Sequence, residues 1–145
     1  MCEQALAVAA RGGIAANRLA ALRYLVAARC SEDPDAAKKV LDTFVQKNGG
    51  ASGINNTCWY LMTDVPTMGR YSAFGVALAE RMLTNRGGMS YFEFDTVAYA
   101  MFLDGRFKEA VELQETAIQK GGGNDPEYKE RLARYEAAAA AAAGR

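Results

Sequence analysis

Apolar residues recur at helical spacing along most of this chain, and most regularly between Tyr91 and Lys120. The first stripe occupies positions i, i+3, i+4, i+7 and i+8, which share one face of an α-helix: Phe94, Val97, Ala98, Met101 and Phe102. Asp104-Gly105 interrupts this stripe, and a second one begins at Phe107. Two amphipathic helices joined by so short a turn predict an antiparallel hairpin, with small residues where the backbones approach.

Glycine clusters divide the chain at nearly even intervals: Gly12-Gly13, Gly49-Gly50, Gly87-Gly88 and Gly121-Gly122-Gly123. Because glycine ends helices, stops roughly 34 to 38 residues apart predict a repeated helix–turn–helix unit. We therefore expect a single all-α domain over residues 1–145. Its predicted parts are a half-unit at 1–13, units at about 17–50, 51–88 and 91–123, and a capping helix at 125–143.

Two helix starts carry a specific local signal. Asp33 and Asp125 are each followed by proline, which combines a favoured N-cap with the residue preferred at the first helical position. The half-unit is predicted to be helical over Glu3–Arg11, and Val65–Gly69 is predicted to be a loop that enlarges the turn of the second unit. These signals place most helix boundaries without reference to any family.

The hairpin between Tyr91 and Lys120 resembles a tetratricopeptide repeat (TPR). The third unit carries the large, small and glycine positions of that motif at Phe94, Val97, Ala98, Met101, Gly105, Phe107, Ala110 and Ala117. The second unit matches in outline at Ile54, Cys58, Leu61, Gly75 and Met82, with an enlarged turn. The resemblance implies a TPR-like α-solenoid of about three helical hairpins with an N-terminal half-unit and a C-terminal capping helix. It further implies a non-catalytic module that binds a peptide or partner protein in a concave groove lined by the first helix of each unit.

The same resemblance assigns groove positions to the first helices: Ser52, Asn55, Trp59, Met62, Phe92, Asp95, Tyr99 and Phe102, with Arg18 and Arg23 in the earliest unit. Each main candidate has a plainer alternative. Trp59 packs under the Val65–Gly69 loop, Phe102 packs against a neighbouring helix, or Asn55 serves as a helix cap. Trp59 also stands where an asparagine is wanted for binding a terminal carboxylate, which argues against that type of ligand.

Composition narrows the function classes. Seventeen basic and seventeen acidic residues balance, so no global charge draws the chain to nucleic acid or to an anionic membrane. Histidine is absent, which removes the commonest general base and metal ligand. Gly121–Asn124 lacks the Lys-Ser/Thr of a phosphate loop. We therefore expect no enzyme activity, no cofactor, no metal, no nucleic acid and no membrane.

The three cysteines have no metal-ligand spacing, and we expect reduced thiols. They favour a cytoplasmic protein, with a fragment of an exported protein whose leader has been removed as the alternative. Two other functions stay open. One is an accessory repeat segment of a larger bacterial enzyme or signalling protein, and the other is a self-assembling helical module, for example a homodimer.

Overall fold

The computed structural model describes Gln4, residues 15–64 and residues 69–144. Within these ranges there is no β-strand, which confirms the all-α prediction. Seven α-helices lie in residues 15–64 and 69–144: α1 Ala16–Leu25, α2 Pro34–Lys47, α3 Asn55–Thr63, α4 Ser72–Leu83, α5 Tyr91–Leu103, α6 Phe107–Lys120 and α7 Pro126–Ala143. The predicted helix Glu3–Arg11 (except Gln4) and the loop residues 65–68 lie outside the described residues.

The two Asp-Pro helix starts are confirmed in detail. The Asp33 carboxylate accepts a hydrogen bond from the Ala36 backbone N–H at 2.9 Å, so it satisfies a donor in the first turn of α2. The Asp125 carboxylate does the same for the Glu127 N–H at 2.9 Å, at the start of α7. Local sequence therefore decides where both helices begin.

Helix α1 passes into a wider turn before α2. Val26–Cys30 is π-helical, and the Ser31 N–H donates to the Val26 carbonyl at 2.9 Å. Glu32 then has φ +50°, a left-handed conformation that is uncommon for a residue with a side chain. Helix α1 thus continues into a turn that redirects the chain into the Asp33 cap.

The chain forms two compact units, which divide between Leu78 and Ala79, inside α4. In unit 1, α1 packs against α2. The Phe74 ring, from the first half of α4, contacts Tyr24 at 5.1 Å and Phe44 at 5.4 Å between ring centroids. Among the described residues of this unit, twelve apolar residues are buried: Ala21, Ala27, Ala37, Leu41, Ile54, Cys58, Leu61, Met62, Tyr71, Phe74, Ala77 and Leu78.

In unit 2, α5 and α6 form the predicted hairpin, and α7 packs against α6. Gly105 makes the turn with φ +79°, a conformation that glycine adopts without steric cost. The small residues of the hairpin, Ala98, Ala110 and Ala117, are fully buried. After α6, a Cβ atom at Gly122 would lie 2.5 Å from the ring of Tyr128, so glycine is required where α7 begins to pack.

Candidate partner-binding surfaces

Helix α5 exposes a row of large apolar side chains in unit 2. Phe92 is 48% exposed, Tyr99 is half-buried, and Leu103 is 38% exposed. These residues lie seven and four positions apart, which is close to two turns and one turn, so they share one face over about 16 Å. Phe92 and Tyr99 belong to the predicted groove set, whereas Leu103 was missed. We call Phe92, Tyr99 and Leu103 the α5 row.

Asp95 occupies the same helix but is buried, at 5% exposure. Its two carboxylate oxygens accept from the Arg131 guanidinium of α7, at 2.8 Å from Nε and 3.0 Å from Nη2. Such a bidentate pair is geometrically demanding and stronger than a single neutral hydrogen bond. The predicted groove residue Asp95 therefore joins α7 to α5, and Arg131 is the partner that the sequence did not reveal.

Gln114 completes this polar cluster from α6. Its side chain is fully buried, and Nε2 donates to Asp95 Oδ1 at 2.8 Å and to the Tyr128 main-chain oxygen at 3.3 Å. Its Oε1 has no hydrogen-bond partner among the described residues. Gln114 is therefore a buried hydrogen-bonding link among α5, α6 and α7.

Phe102 makes aromatic contacts within unit 2. Its ring stacks on Tyr135 of α7 at 4.8 Å between centroids and lies 6.5 Å from the Tyr99 ring. The Arg134 guanidinium lies 4.6 Å from the centroid of the Phe102 ring, within cation–π range. These contacts favour the packing alternative for Phe102, while its half-buried position leaves part of the side chain at the surface.

Burial, together with a nearby carboxylate, also raises the pKa of two tyrosine side chains of α7. Desolvation, with a smaller contribution from Asp95, raises the pKa of Tyr128 to about 12. The same causes raise the pKa of Tyr135. Both side chains are consequently neutral at physiological pH and act as packing groups.

Three predicted groove residues of unit 1 lie on α3, and their environments differ. Met62 is 4% exposed and lies against Gly75, where a Cβ atom would be 2.5 Å from Met62 Cγ. Trp59 is half-buried. Asn55 is also half-buried, and its Oδ1 is shielded from solvent and has no hydrogen-bond partner in residues 15–64 or 69–144. Met62 is thus a core residue of unit 1, and Trp59 is the predicted aromatic of this unit that reaches the surface in part.

Arg18, which the TPR resemblance places in the groove, contacts Tyr60 of α3 and Asp64, the residue after α3. Its Nη2 donates to the Tyr60 hydroxyl at 2.5 Å and to Asp64 Oδ2 at 2.7 Å. The guanidinium also lies 5.6 Å from the Tyr60 ring centroid. These contacts join the beginning of α1 to the end of α3.

A cavity of about 890 Å³ opens between α1 and α2 in unit 1. The described residues of its lining include three basic side chains and no carboxylate: Ala16, Asn17, Leu19, Ala20, Arg23, Ala36, Lys39, Val40, Thr43, Phe44, Lys47, Asn48 and Thr57. We call it the α1–α2 groove. Of its basic residues, Arg23 was proposed from sequence, but Lys39 and Lys47 were not. Their spacing of eight residues with Thr43 midway is a helical stripe that a wheel of α2 would have shown.

No family model, curated protein or solved structure matches this chain. Among the described residues, no cluster of three or more His, Cys, Asp or Glu side chains is placed to hold a metal ion. The helices within the described part of the chain are all too short or too polar to cross a membrane.

Proposed function

We propose that this chain is a non-catalytic protein-interaction module of TPR-like helical repeats, and that the α5 row contacts its partner. The observation that carries the proposal is that α5 has large apolar side chains on two of its faces. One face is buried through Phe94, Val97 and Met101. The other presents Phe92 and Leu103 to solvent, with Tyr99 between them.

The repeat part of the proposal draws support from burial in the hairpin of α5 and α6. Six of the eight residues that carry the TPR resemblance in this hairpin lie in its core, with exposures of 2% or less: Phe94, Val97, Ala98, Met101, Ala110 and Ala117. Helix α7 adds the buried Tyr128 and Tyr135, as expected for a helix that covers the end of a repeat array.

The binding part rests on the kind of side chain that is exposed. Aromatic residues offer a large contact area at low entropic cost and are enriched among residues that dominate binding energy. The buried Asp95–Arg131 pair and the stack of Phe102 on Tyr135 hold α5 from the side of α7. A rigid helix presenting Phe92 and Tyr99 loses little entropy when a partner binds.

The test is affinity isolation of partners with the full chain, followed by titration calorimetry with the purified partner. The double substitution Phe92→Ala and Tyr99→Ala should weaken binding at least about tenfold, since each truncated anchor typically costs about 1–2 kcal/mol. Lys108→Ala with Gln119→Ala, at exposed positions of α6, is the matched control and should bind as the unaltered protein does. Equal affinity of both double variants, with unchanged helicity, would remove the α5 row from the interface.

A further inference from the structure

We infer that the α1–α2 groove binds an acidic amphipathic helix of a partner protein. This surface lies in unit 1 and is built mostly by α2, so the inference goes beyond the α5 row and does not depend on it. It rests on the charge of the groove, the composition of its floor and its length.

Three unmatched cations face the groove. Arg23, Lys39 and Lys47 are exposed, and none of their side chains forms an ion pair or hydrogen bond with a described residue. By contrast, Arg18 pairs with Asp64 at 2.7 Å, and Lys38 pairs with Asp42 at 2.7 Å. Because the described residues that line the groove include no carboxylate, a partner that supplies carboxylates complements its charge.

The floor of the groove is aliphatic and half-buried, formed by Leu19, Ala20, Ala36 and Val40. Phe44 adds one aromatic ring, which lies 5.4 Å from the Phe74 ring between centroids in an edge-to-face arrangement. Single-stranded nucleic acid is bound mainly by stacking successive bases on several aromatic side chains along a basic track, and Phe44 is the one aromatic residue among the described residues of this lining. An apolar floor between basic side chains instead fits a peptide with one apolar face and flanking acids.

The geometry favours a helical peptide over an extended one. The lining residues of α2 run from Ala36 to Lys47, twelve residues that span about 18 Å along the helix axis. A third helix of similar length can lay its apolar i, i+3, i+4 and i+7 positions between α1 and α2. Lys39 and Lys47 are about 12 Å apart along α2, which matches carboxylates seven or eight residues apart on the bound helix.

The probe for this proposal is a synthetic helical peptide of about 14 residues. Its leucine and alanine residues occupy one face, and glutamates flank that face at i and i+7. A second peptide carries glutamine in place of every glutamate. With the full chain at low ionic strength, we expect the acidic peptide to bind with micromolar Kd and the glutamine peptide to bind at least about tenfold more weakly. Added salt should weaken the acidic peptide selectively.

Charge reversal in the groove supplies the second measurement. Lys39→Glu and Lys47→Glu should each raise the Kd of the acidic peptide about fivefold to tenfold. Lys38→Glu makes the same charge change on the same helix outside the groove. When the three variants are compared at about 0.15 M salt, where the Debye length is about 8 Å, Lys38→Glu should leave the Kd within about twofold. All three positions are exposed, so the variants are expected to fold, and circular dichroism verifies this.

Four results would overturn the inference. The first is failure of the acidic peptide to bind, and the second is an equal loss of affinity in Lys38→Glu and Lys39→Glu. The third is tighter binding of a single-stranded oligonucleotide than of the peptide, which would assign the groove to nucleic acid. A loss of peptide binding in the Phe92→Ala, Tyr99→Ala variant alone would place the peptide on the α5 row and likewise exclude the groove.

Discussion

At the scale of single residues, the least replaceable polar group in unit 2 is the Asp95–Arg131 pair. The Asp95 side chain is 8% exposed and that of Arg131 18%, so both charges are largely removed from water. Removing one member of a buried pair leaves the other without compensation, which costs more than the pair itself contributes. Gln114 offers Asp95 one further hydrogen bond, and it does not supply a countercharge.

Arg131→Met should therefore lower the free energy of unfolding by about 3 kcal/mol, because it strands a buried carboxylate while keeping the packing of a long side chain. Urea denaturation followed by circular dichroism measures this change. The control is Glu80→Gln, which breaks the exposed Arg106–Glu80 pair at 2.8 Å and should cost less than about 1 kcal/mol. Similar losses in the two variants would show that Asp95 is accommodated without Arg131.

At the scale of elements, turns matter as much as helices. The turn between α2 and α3 depends on three glycines. Gly49 and Gly50 have φ of +86° and +77°, and the Gly53 N–H donates to the Gly50 carbonyl at 3.1 Å. A Cβ atom at Gly53 would lie 1.7 Å from the Asn48 carbonyl oxygen, which is backbone and cannot rotate away. The glycine run that marks a unit boundary in the sequence thus has a steric reason in the structure.

Gly53→Ala is consequently expected to destabilise unit 1 by at least about 2 kcal/mol, since the turn must open to admit a methyl group. Trp59 is the single tryptophan and belongs to this unit, so its fluorescence during urea denaturation reports the loss. Gly87→Ala is the matched control, because a Cβ atom there has no neighbour within 4 Å. An unshifted midpoint for Gly53→Ala would mean that the turn has another conformation.

The element scale also shows how far local signals extend. The aspartates at the starts of α2 and α7 and the glycine stops placed these helices from sequence. The start of α5 carries a further signal that was missed: Glu93 Oε2 accepts from the Ser90 N–H at 2.8 Å and from the Ser90 hydroxyl at 2.6 Å. Ser-x-x-Glu before an apolar run is a recognisable capping signal, so this helix start too is predictable from local sequence.

At the scale of the whole molecule, charge and titration set the response to pH. The chain has no histidine, so few groups change charge around pH 6.5 and little change in stability is expected there. In unit 2, the titration that we expect to affect stability is that of a tyrosine at alkaline pH. The pKa of Tyr128 is raised to about 12 by desolvation, above the value near 10 of an exposed phenol. A raised folded-state pKa means that the folded unit holds this proton more tightly than the unfolded chain.

The stability linked to the neutral Tyr128 phenol is fully present below about pH 10 and is lost as the pH rises through about 12. Thermal unfolding between pH 9 and 12 should therefore show a falling midpoint. Tyr128→Phe removes the titrating group and retains the ring, so the fall should be smaller, with the remainder due partly to Tyr135. An identical fall in both proteins would exclude Tyr128 as a source of the alkaline loss.

The periodicity of the sequence did not predict where the chain divides into compact units. Evenly spaced glycines indicate repeating helix pairs, and the described helices fall within the predicted units. The compact units divide at Leu78, inside α4 and inside the second predicted repeat. Compactness depends on which helices pack together in space, and the spacing of helix ends along the chain does not contain that information.

The sequence by itself determined the helical class, the ends of most helices and the apolar face of the α5–α6 hairpin. These features depend on local conformational preference and on a period of 3.6 residues, both of which act over a few turns. Tertiary structure alone decided that Asp95 meets Arg131, 36 residues away, and that Gln114 joins them. It also decided that Arg23, Lys39 and Lys47 line one groove, and the part of that lining which the structure describes contains no carboxylate. Such pairings depend on the rotation of each helix about its axis and on which helices become neighbours, which no local pattern fixes.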